Sequence, residues 1–425
     1  MATYLSGTEE EALRIREAYD VHSEQNRARG SDYGGDFHAG LARLRSEAPV
    51  QEGAIADLLG HPVDYGITEL REGRFYSCLT WDTCSEVLRN TDVYSSSVVS
   101  LRLGKLFGRS ILEMGGEEHR RYRALVHRAF TRAQADWWVD RWIAGIVDGL
   151  ISAFEHDGRA DLNLQLCGPL PIFTITASFG IPPADALKVK ALLEQMFLVS
   201  DPPAQHCASR EIAERIEAIA ARRRREPADD LITVLTREQL TEADGTRRQL
   251  SDEEIMGFSR LLLGAGAGTT WRQLGIVLYA LLTHPGLLER ARADRGFLRP
   301  VVEEAMRWEP NDTIFWRLAT RDVVLGGLAI PAGSIVEVSL AAANRDPARW
   351  DRSEVFDPDR TPETNLGFGG GPHICLGIHV ARAEMLVALN AILDRLPKLR
   401  LEAAADVRVM GLRERSVNAL PVEFG

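Results

Sequence analysis

One cysteine in a glycine-rich segment is the residue of this sequence best suited to chemistry. The segment starts at Phe368, continues through three glycines, a proline and His373 to Cys375, and then reaches Gly377. An apolar helical repeat begins at Ile378, so Cys375 lies at or just before a helix N-terminus. Free backbone N–H groups and the helix dipole favour a thiolate there, and we therefore expect a lowered thiol pKa.

A thiolate at Cys375 is suited to binding a metal ion. No partner ligand lies near it at zinc spacing, and the five cysteines form no CxxC pair, so neither a zinc site nor a disulfide framework is indicated. A metal at this position must receive its other ligands from elsewhere. A haem iron, which brings four porphyrin nitrogens, meets that demand. The alternative is a buried structural cysteine beside a glycine-rich turn.

The elements that must position this segment are mainly helical. Helical periodicity dominates from about Glu117 to Trp308. One apolar stripe recurs at three- and four-residue steps: Ile143, Ile146, Val147, Leu150, Ile151 and Phe154. Short strand patterns lie at 74–80, 323–325 and 334–340, with two turns of a small antiparallel sheet at 325–333 and a further hairpin at 407–424. The pattern predicts mostly helix with a small peripheral sheet.

One long helix is predicted near the middle of the chain. Ser251 and Glu254 form a capping box, and the apolar pattern runs to Thr283, where His284 and a proline end it. About 32 residues at 1.5 Å each give roughly 48 Å, enough to cross the whole molecule. Three glycines lie within residues 264–268, and each costs about 1 kcal/mol relative to alanine. They indicate either close helix–helix packing or a large flat group against this face.

Composition places the chain among globular proteins. It has 425 residues, 45% hydrophobic and 26% charged, and its 50 basic and 61 acidic side chains give a formal charge of −11. This balance argues against general nucleic-acid binding, and the basic block at 222–225 is expected to be a solvated patch or a helix end. The N-terminus lacks a signal-peptide core, and no stretch reaches the ~20 apolar residues of a membrane span. The odd cysteine count fits a reducing compartment, so we expect a soluble, cytoplasmic protein.

The cysteine segment resembles the haem-binding signature of the cytochrome P450 family. It matches Phe-Gly-x-Gly-x-His-x-Cys-x-Gly at every specified position from Phe368 to Gly377. The resemblance extends from roughly Gly115 to the C-terminus. It implies a mainly α fold with a small β region, a triangular helical prism with a long central helix, and haem b held by Cys375 as the metal ligand. A thiolate ligand favours O–O cleavage.

The resemblance also implies a domain organisation and roles for charged residues. The expectation is a single domain, 1–425, helix-rich at 115–310 and 376–396 and β-containing at 65–80, 317–341 and 405–425. Glu304 and Arg307, joined by Arg360, would form a structural network that locks the loop holding Cys375. The haem propionates would be bound by His119, Arg123, Arg317 and His373, and Phe368 and Gly377 belong to the same haem-binding set.

The central helix of the family normally carries an acid before its threonine pair, and this chain departs from that pattern. Ala265 and Gly266 would let the helix approach the haem, and Thr269 would supply the hydroxyl that hydrogen-bonds dioxygen. Gly268 stands in place of the acid. Protons for O–O cleavage could then travel through water in the space at Gly268, through a substrate group, or through another carboxylate such as Asp312. The residues assigned to oxygen handling are Gly268, Thr269 and Thr270.

The resemblance places a substrate pocket above the haem. Its predicted lining is mostly apolar: Leu106, Phe107, Leu261, Leu262, Ala265, Asn311, Asp312, Ile314, Phe315 and Val417. This composition indicates a hydrophobic small-molecule substrate. Asn311 and Asp312 would either orient a hydroxyl or an amine of the substrate, or form a solvated turn.

Electrons are expected from separate proteins, a ferredoxin and a ferredoxin reductase. No GxGxxG follows a predicted strand, so no flavin or nicotinamide domain is indicated. Five arginines would fall on the thiolate side of the haem: Arg120, Arg121, Arg128, Arg132 and Arg382. They would either steer an acidic redox partner or be scattered surface charge.

These features predict a haem-thiolate monooxygenase. It would use electrons from NAD(P)H to insert one oxygen atom of O2 into a small hydrophobic organic substrate, with no nucleic-acid or membrane partner. Because Gly268 replaces the acid, one alternative is a peroxide-driven enzyme or an atypical haem reaction such as nitration or rearrangement. A second alternative is a haem sensor without turnover.

Overall fold

Helices make up most of the chain in the computed structural model, which describes residues 8–20, 33–63, 73–101, 103–196 and 202–425. The helices up to residue 196 are α1 (Glu9–Tyr19), α2 (Phe37–Glu47), α3 (Ile55–Leu58), α4 (Trp81–Arg89), α5 (Gly104–Phe107), α6 (Gly116–His127), α7 (Arg132–Trp138), α8 (Ala144–Ser152), α9 (Pro169–Ser178) and α10 (Pro183–Met196). The later ones are α11 (Pro202–Arg225), α12 (Leu231–Arg237), α13 (Asp252–Gly268), α14 (Thr270–Thr283), α15 (Leu287–Ala293), α16 (Leu298–Trp308), α17 (Leu340–Asn344) and α18 (Ile378–Arg395). The prediction of a mainly helical protein is confirmed.

The strands are short and form small sheets. In chain order they are β1 (Val50–Glu52), β2 (Phe75–Cys78), β3 (Tyr94–Ser95), β4 (Arg159–Asp161), β5 (Gln239–Thr241), β6 (Arg247–Gln249), β7 (Ile314–Ala319), β8 (Val323–Leu325), β9 (Leu328–Ile330), β10 (Ile335–Ser339), β11 (Arg400–Leu401), β12 (Val409–Met410), β13 (Ser416–Val417) and β14 (Pro421–Glu423). The largest sheet has the order β1-β2-β10-β7-β3, in which only β2 and β10 are parallel. A second has the order β11-β14-β4, and the remaining strands form three hairpins.

The predicted strands are found close to their predicted bounds. Strand β8 coincides with 323–325, β10 lies within 334–340, and β2 lies within 74–80. The two turns at 325–333 are confirmed, because β8 and β9 form a hairpin and Gly326, Gly327 and Gly333 all have positive φ. The hairpin predicted at 407–424 corresponds to β12 and β13. Residues 65–72 of the predicted β region lie outside the described residues. Strands β4, β5 and β6 interrupt the span predicted as helix-rich.

The apolar stripe predicted at 143–154, which includes α8 and the residues next to it, faces the main hydrophobic core. All six of its predicted members, from Ile143 to Phe154, are buried. The core continues through α9, α13 and α14, so the central helices are packed on most sides. This packing holds the middle of the chain against α18, the helix that follows Cys375.

The central helix begins as predicted but is interrupted. Ser251 Oγ accepts from the Glu254 backbone N–H at 3.2 Å and Glu254 Oε2 accepts from the Ser251 N–H at 2.7 Å, so the capping box is present. The helix then divides at Thr269 into α13 and α14. Thr269 itself has φ −106° and ψ −46°, away from ideal helical values. The predicted single helix is therefore two consecutive helices that meet at Thr269.

The three glycines near this break have different surroundings. A Cβ at Gly264 would lie 3.0 Å from the Phe107 ring, and one at Gly266 would lie 2.8 Å from Ile175 of α9. Close packing of neighbouring elements therefore explains these two glycines. A Cβ at Gly268 would meet no atom within 4 Å. Position 268 therefore differs from positions 264 and 266, because a side chain there would enter open space and meet no neighbouring element.

No single helix among the described residues has the length and apolar composition needed to cross a membrane. Two segments, 163–178 and 183–196, meet those criteria only when taken together, and they are bent by 108° relative to each other.

A buried acid joins three helices of the core. Glu384 of α18 shares hydrogen bonds with the hydroxyls of Thr174 on α9 and Thr270 on α14. Burial raises its pKa to about 8, although both hydrogen bonds act in the opposite direction. Thr174 already donates its hydroxyl proton to the Leu170 carbonyl at 3.0 Å. A neutral carboxyl group that can itself donate therefore fits this position.

Glu384→Gln should remove a pH dependence of folding stability. The folded protein keeps the Glu384 proton up to about pH 8, whereas the unfolded chain loses it near the ordinary pKa of 4.5. The free energy of unfolding should therefore fall as pH rises from about 5 to about 8, by on the order of a few kcal/mol for this group. The glutamine variant, measured by urea unfolding across this range, should lack that slope.

Asp394→Asn is the matched control, because Asp394 is an exposed acid on the same helix. It should keep the wild-type slope. An unchanged slope in Glu384→Gln would contradict the assignment of a neutral buried acid.

Candidate active site

The loop that carries Cys375 has a backbone that only glycine adopts easily. Gly369 and Gly371 have φ values of +72° and +65°, and a Cβ at Gly371 would collide with the Leu88 carbonyl oxygen. Gly370 has an extended backbone with φ −163°. The two strained positions are those that the sequence motif specifies. The Cys375 N–H then donates to the Phe368 carbonyl at 2.9 Å and closes the loop.

The Cys375 sulfur is positioned just before α18, as predicted, but its pKa is not lowered. Burial raises the thiol pKa, and the Asp312 carboxylate acts in the same direction. The backbone N–H of Gly377 and the charges of Arg123 and Arg382 favour the thiolate but do not outweigh burial. The predicted direction is therefore wrong for the protein without a bound cation, which would supply the missing stabilisation.

No group of three or more His, Cys, Asp or Glu side chains is arranged to hold a metal ion within the described ranges. A metal at Cys375 would therefore bring its other ligands with it.

Four nitrogen-bearing side chains surround the approach to the Cys375 loop. The rings of His119 and His373 lie with their centroids 4.0 Å apart. Arg123 donates to the Ile374 carbonyl at 2.5 Å, and Arg317 donates to the Trp316 carbonyl at 2.7 Å. These four predicted residues lie on three elements: α6, β7 and the cysteine loop. The fold brings them together although they are spread over more than 250 positions of the sequence.

The cluster formed by His119, Arg123, Arg317 and His373 contains buried nitrogen atoms but no carboxylate. Arg317 is 4% exposed and His119 is 2% exposed, yet Arg317 Nε and His119 Nε2 have no hydrogen-bond partner. Burial lowers the pKa of Arg317 to about 10. Burial, then the neighbouring arginines, lowers the pKa of His119 to about 4, and burial together with His119 and the arginines lowers that of His373 to about 3. An anion with several oxygens would satisfy these groups, and the two carboxylates of haem fit that description.

A buried ion-pair network ties α16 to the segment that precedes the cysteine loop. Arg307 binds Glu304 in bidentate fashion, with Nε–Oε2 at 2.9 Å and Nη2–Oε1 at 2.7 Å. Arg360 Nε lies 3.5 Å from Glu304 Oε1, and the Asp357 N–H donates to the same oxygen at 2.9 Å. Arg307 also donates to three backbone carbonyls, at Asn344, Ser353 and Val355. The three residues named from the sequence therefore meet, and the network holds main chain rather than a ligand.

Only some of the residues predicted to face the haem from α13 and α14 are exposed. Ala265 and Thr269 are exposed one turn apart, and Thr269 Oγ1 donates to the Ala265 carbonyl at 3.2 Å. A Cβ at Gly266 would meet Ile175, so this glycine allows close packing with α9. The Thr270 side chain is buried and hydrogen-bonded with Glu384, away from the exposed face.

The predicted pocket residues divide between the site and the core. Phe315 and Arg317 alternate with Ile314 along β7, so Ile314 lies on the opposite face, in a cluster with Trp316. Val417 is fully buried in the main core. Ile314 and Val417 are therefore core residues and do not join Arg317.

The remaining pocket candidates lie on the elements expected. Phe107 packs against Gly264, and the side chain of Leu106 lies outside the described residues. Leu261 and Leu262 lie on α13 and are buried in the main hydrophobic core. Asn311 is buried and Asp312 is half-buried beyond the end of α16.

Five charged residues near the central helix were missed by the sequence analysis. They are Lys190, Glu194, Arg272, Glu384 and Glu414. Glu384 left a signal, because it is an acid on the apolar face that also carries Ala381, Met385 and Ala388. The other four left none, since α10, α14 and the turn between β12 and β13 meet only in three dimensions.

Comparison with known proteins agrees with this geometry. Residues 203–398 match the family described as Cytochrome P450. The chain is 32% identical over 407 residues to the cytochrome P450 monooxygenase PikC of Streptomyces venezuelae, covering 93% of both proteins. It is 37% identical over 299 residues to the mycinamicin IV hydroxylase/epoxidase of Micromonospora griseorubida, covering 68% of this chain and 73% of that protein.

Solved structures give the same result for the fold. CYP109E1 from Bacillus megaterium, in complex with testosterone, superimposes with a TM-score of 0.79 at 28% identity, covering 92% of this chain and 100% of that chain. The mainly helical architecture, the cysteine loop and a 32% identical relative that matches nearly end to end lead to one conclusion. The chain belongs to the cytochrome P450 family and is a haem-containing monooxygenase.

Proposed function

We propose that this monooxygenase takes electrons from NAD(P)H through a separate ferredoxin and ferredoxin reductase and inserts one oxygen atom of O2 into a small hydrophobic organic substrate. The buried donor cluster beside the Cys375 loop carries this proposal, because the cluster lacks an acid and matches the carboxylates of a haem.

Cys375 is the residue proposed to hold the haem iron through its sulfur. Thiolate-ligated haem supplies an iron centre that favours O–O cleavage. The chain contributes the Gly377 N–H and the charges of Arg123 and Arg382, all of which favour the thiolate over the thiol. The glycine backbone of the loop keeps these groups next to the sulfur.

His119, Arg123, Arg317 and His373 are the proposed partners of the haem carboxylates. Arg317 offers a planar guanidinium suited to bidentate binding, and its Nε is buried without a partner. His373 Nε2 lies 3.1 Å from Ser96 Oγ, which holds the ring in place. Charge-assisted hydrogen bonds from Arg123 and Arg317 would neutralise the anion within a mostly buried site. The neutral rings of His119 and His373 would add hydrogen bonds.

Thr269 is the proposed proton-handling residue of the exposed helix face. Its hydroxyl donates to the Ala265 carbonyl, and its oxygen keeps lone pairs that can accept from water. Thr269 lies at the helix interruption and is exposed. Ala265, one turn earlier, is small enough to leave room for a ligand.

A hydrophobic small molecule is the proposed substrate. Phe315 shares a face of β7 with Arg317, and Phe107 contributes a second aromatic ring near the central helix. The names of the mycinamicin IV hydroxylase/epoxidase and of the testosterone-bound relative support an organic substrate for this chain. Asp312, a half-buried acid that acts on Cys375, is proposed to orient a substrate hydroxyl or amine.

Arg128 and Arg132 are the proposed docking charges for an acidic ferredoxin. Three of the five arginines considered from the sequence already pair with acids of this chain: Arg120 with Glu117, Arg121 with Glu242 and Arg382 with Glu303. Arg128 and Arg132 are exposed and have no ion pair with any described residue. An acidic partner would steer towards the unpaired charges first.

Reconstitution of the haem-loaded enzyme tests the proposed function. With NAD(P)H, a surrogate ferredoxin and reductase and isotopically labelled O2, a library of apolar compounds should yield products that carry one labelled oxygen atom. The reduced enzyme should also show the strongly red-shifted carbon monoxide band of a thiolate ligand. Product formation only with added peroxide would overturn the proposal in favour of a peroxide-driven enzyme. The two relatives described above are named as a monooxygenase and as a hydroxylase/epoxidase, which argues against the haem sensor.

Arg317→Ala should change stability in opposite directions with and without haem. In the haem-loaded enzyme it removes a charge-assisted hydrogen bond of about 1.5–3 kcal/mol, so haem transfer to excess apomyoglobin should be about tenfold faster or more. In the haem-free protein it removes a buried cation without a counter-charge, so the urea midpoint should rise.

Arg321→Ala is the control, because Arg321 lies just beyond the same strand and is exposed. It should change neither quantity. Equal haem release from both variants would contradict the role given to Arg317.

Thr269→Ala should uncouple electron transfer from product formation. The variant should still consume NAD(P)H but form several-fold less product per NAD(P)H, because the hydroxyl that handles protons is absent. Thr283→Ala is the control, since the Thr283 hydroxyl makes the same type of bond, to the Tyr279 carbonyl at 2.7 Å, at the far end of α14. Unchanged coupling in Thr269→Ala would rule out this role.

A further inference from the structure

A cavity whose lining includes two acids and a lysine lies beside the glycine that replaces the usual acid. Its volume is about 80 Å³, whereas one ordered water needs roughly 10–15 Å³. Its lining comes from α10, the central helices and the turn between β12 and β13: Lys190, Leu193, Glu194, Gly264, Ala267, Gly268, Thr269 and Glu414. The empty side of Gly268 therefore opens into a space that can hold several waters.

Two carboxylates line this cavity, and each is held by a buried cation. Lys190 Nζ pairs with Glu194 Oε1 at 2.5 Å, and Arg272 Nη2 pairs with Glu414 Oε2 at 3.1 Å. Arg272 also donates through Nη1 to the Gly268 carbonyl. The side chain of Glu414 is 25% exposed and that of Glu194 is 12% exposed. Glu414 can thus exchange protons with solvent more readily, while Glu194 lies deeper.

Thr269 connects this cavity to the exposed helix face. It is among the lining residues, and its hydroxyl bonds to the carbonyl of Ala265, which is exposed one turn earlier. Asp312, the substitute acid suggested by the sequence, does not line the cavity. Its partner across an isolated β-bridge is Glu414, which does.

We propose that Glu194 and Glu414, acting through water in this cavity, replace the carboxylate missing at position 268 and pass protons to the Thr269 hydroxyl. Both acids rest as carboxylates paired with their cations. Glu414 takes a proton from solvent and gives one, directly or by way of Glu194, to a cavity water. That water gives a proton to Thr269 Oγ1 as the hydroxyl gives its own to an acceptor on the exposed helix face, which the proposed O2-dependent reaction supplies. Both acids then return to the carboxylate form, so one proton has moved from solvent to the acceptor and the chain is unchanged. This proposal rests on the proposed O2-dependent function.

The test compares haem-loaded wild type with Glu194→Gln, Glu414→Gln and the double variant. The double variant should form about tenfold less product per NAD(P)H, and its solvent deuterium isotope effect on NAD(P)H oxidation should differ from that of wild type. Adding Gly268→Asp should restore coupling, because a side chain at 268 enters open space. Glu211→Gln is the matched control. Glu211 pairs with Lys188, which lies on α10 as Glu194 does, and neither Glu211 nor Lys188 lines the cavity.

Two outcomes would overturn the proposal while leaving the proposed function intact. In the first, the variants have the same product yield per NAD(P)H and the same isotope effect as wild type, whether or not their unfolding temperature is lower. The two ion pairs would then be only structural. The second is no rescue by Gly268→Asp in a folded double variant. Failure of wild type to form product with NAD(P)H would instead overturn the proposed function.

A crystal structure of the haem-loaded enzyme gives a readout that is independent of turnover and of variant folding. Ordered waters should link Glu414 and Glu194 to Thr269 Oγ1. A dry cavity, or one filled by a side chain, would overturn the proposal.

Discussion

A buried positive charge without a counter-charge is the constraint on which the site depends. Desolvating the guanidinium of Arg317 costs free energy that no carboxylate of the described chain repays. A ligand that brings negative oxygens to the same place would offset this cost. His119 and His373 remain neutral there, because burial and the neighbouring cations lower their pKa values to about 4 and about 3. The buried guanidinium of Arg317 therefore favours binding of an anionic group beside Cys375.

The surrounding structure keeps this costly arrangement rigid. The cysteine loop is fixed by two glycines with positive φ, and Glu304 and Arg307 fix the preceding segment through main-chain contacts. The central helix is held close to Phe107 and Ile175 by Gly264 and Gly266. Rigid neighbours matter because a mobile site would let water solvate the charge, and the preference for a ligand would be lost.

Sequence reasoning succeeded where the information is local and failed where it depends on tertiary contacts. The loop around Cys375 could be predicted because backbone strain restricts Gly369 and Gly371 to glycine. Close helix packing was one of two explanations predicted for Gly266, but its partner Ile175 could not be predicted, since Ile175 lies on another helix and the contact is visible only in three dimensions. For the same reason the thiol pKa was predicted in the wrong direction, because helix-end N–H groups are local whereas burial is not.

The glycine at position 268, next to the helix break at Thr269, changes which elements of the fold can supply protons. An acid at 268 would place the proton donor on the same helix as the hydroxyl and make its position independent of the rest of the fold. With glycine there, the nearest carboxylates around the cavity belong to α10 and to the β12–β13 turn. If these carboxylates supply protons, delivery requires both elements to be in place around a filled cavity. Proton supply would then be linked to the packing of α10 against the central helix, and a shift of α10 would interrupt it.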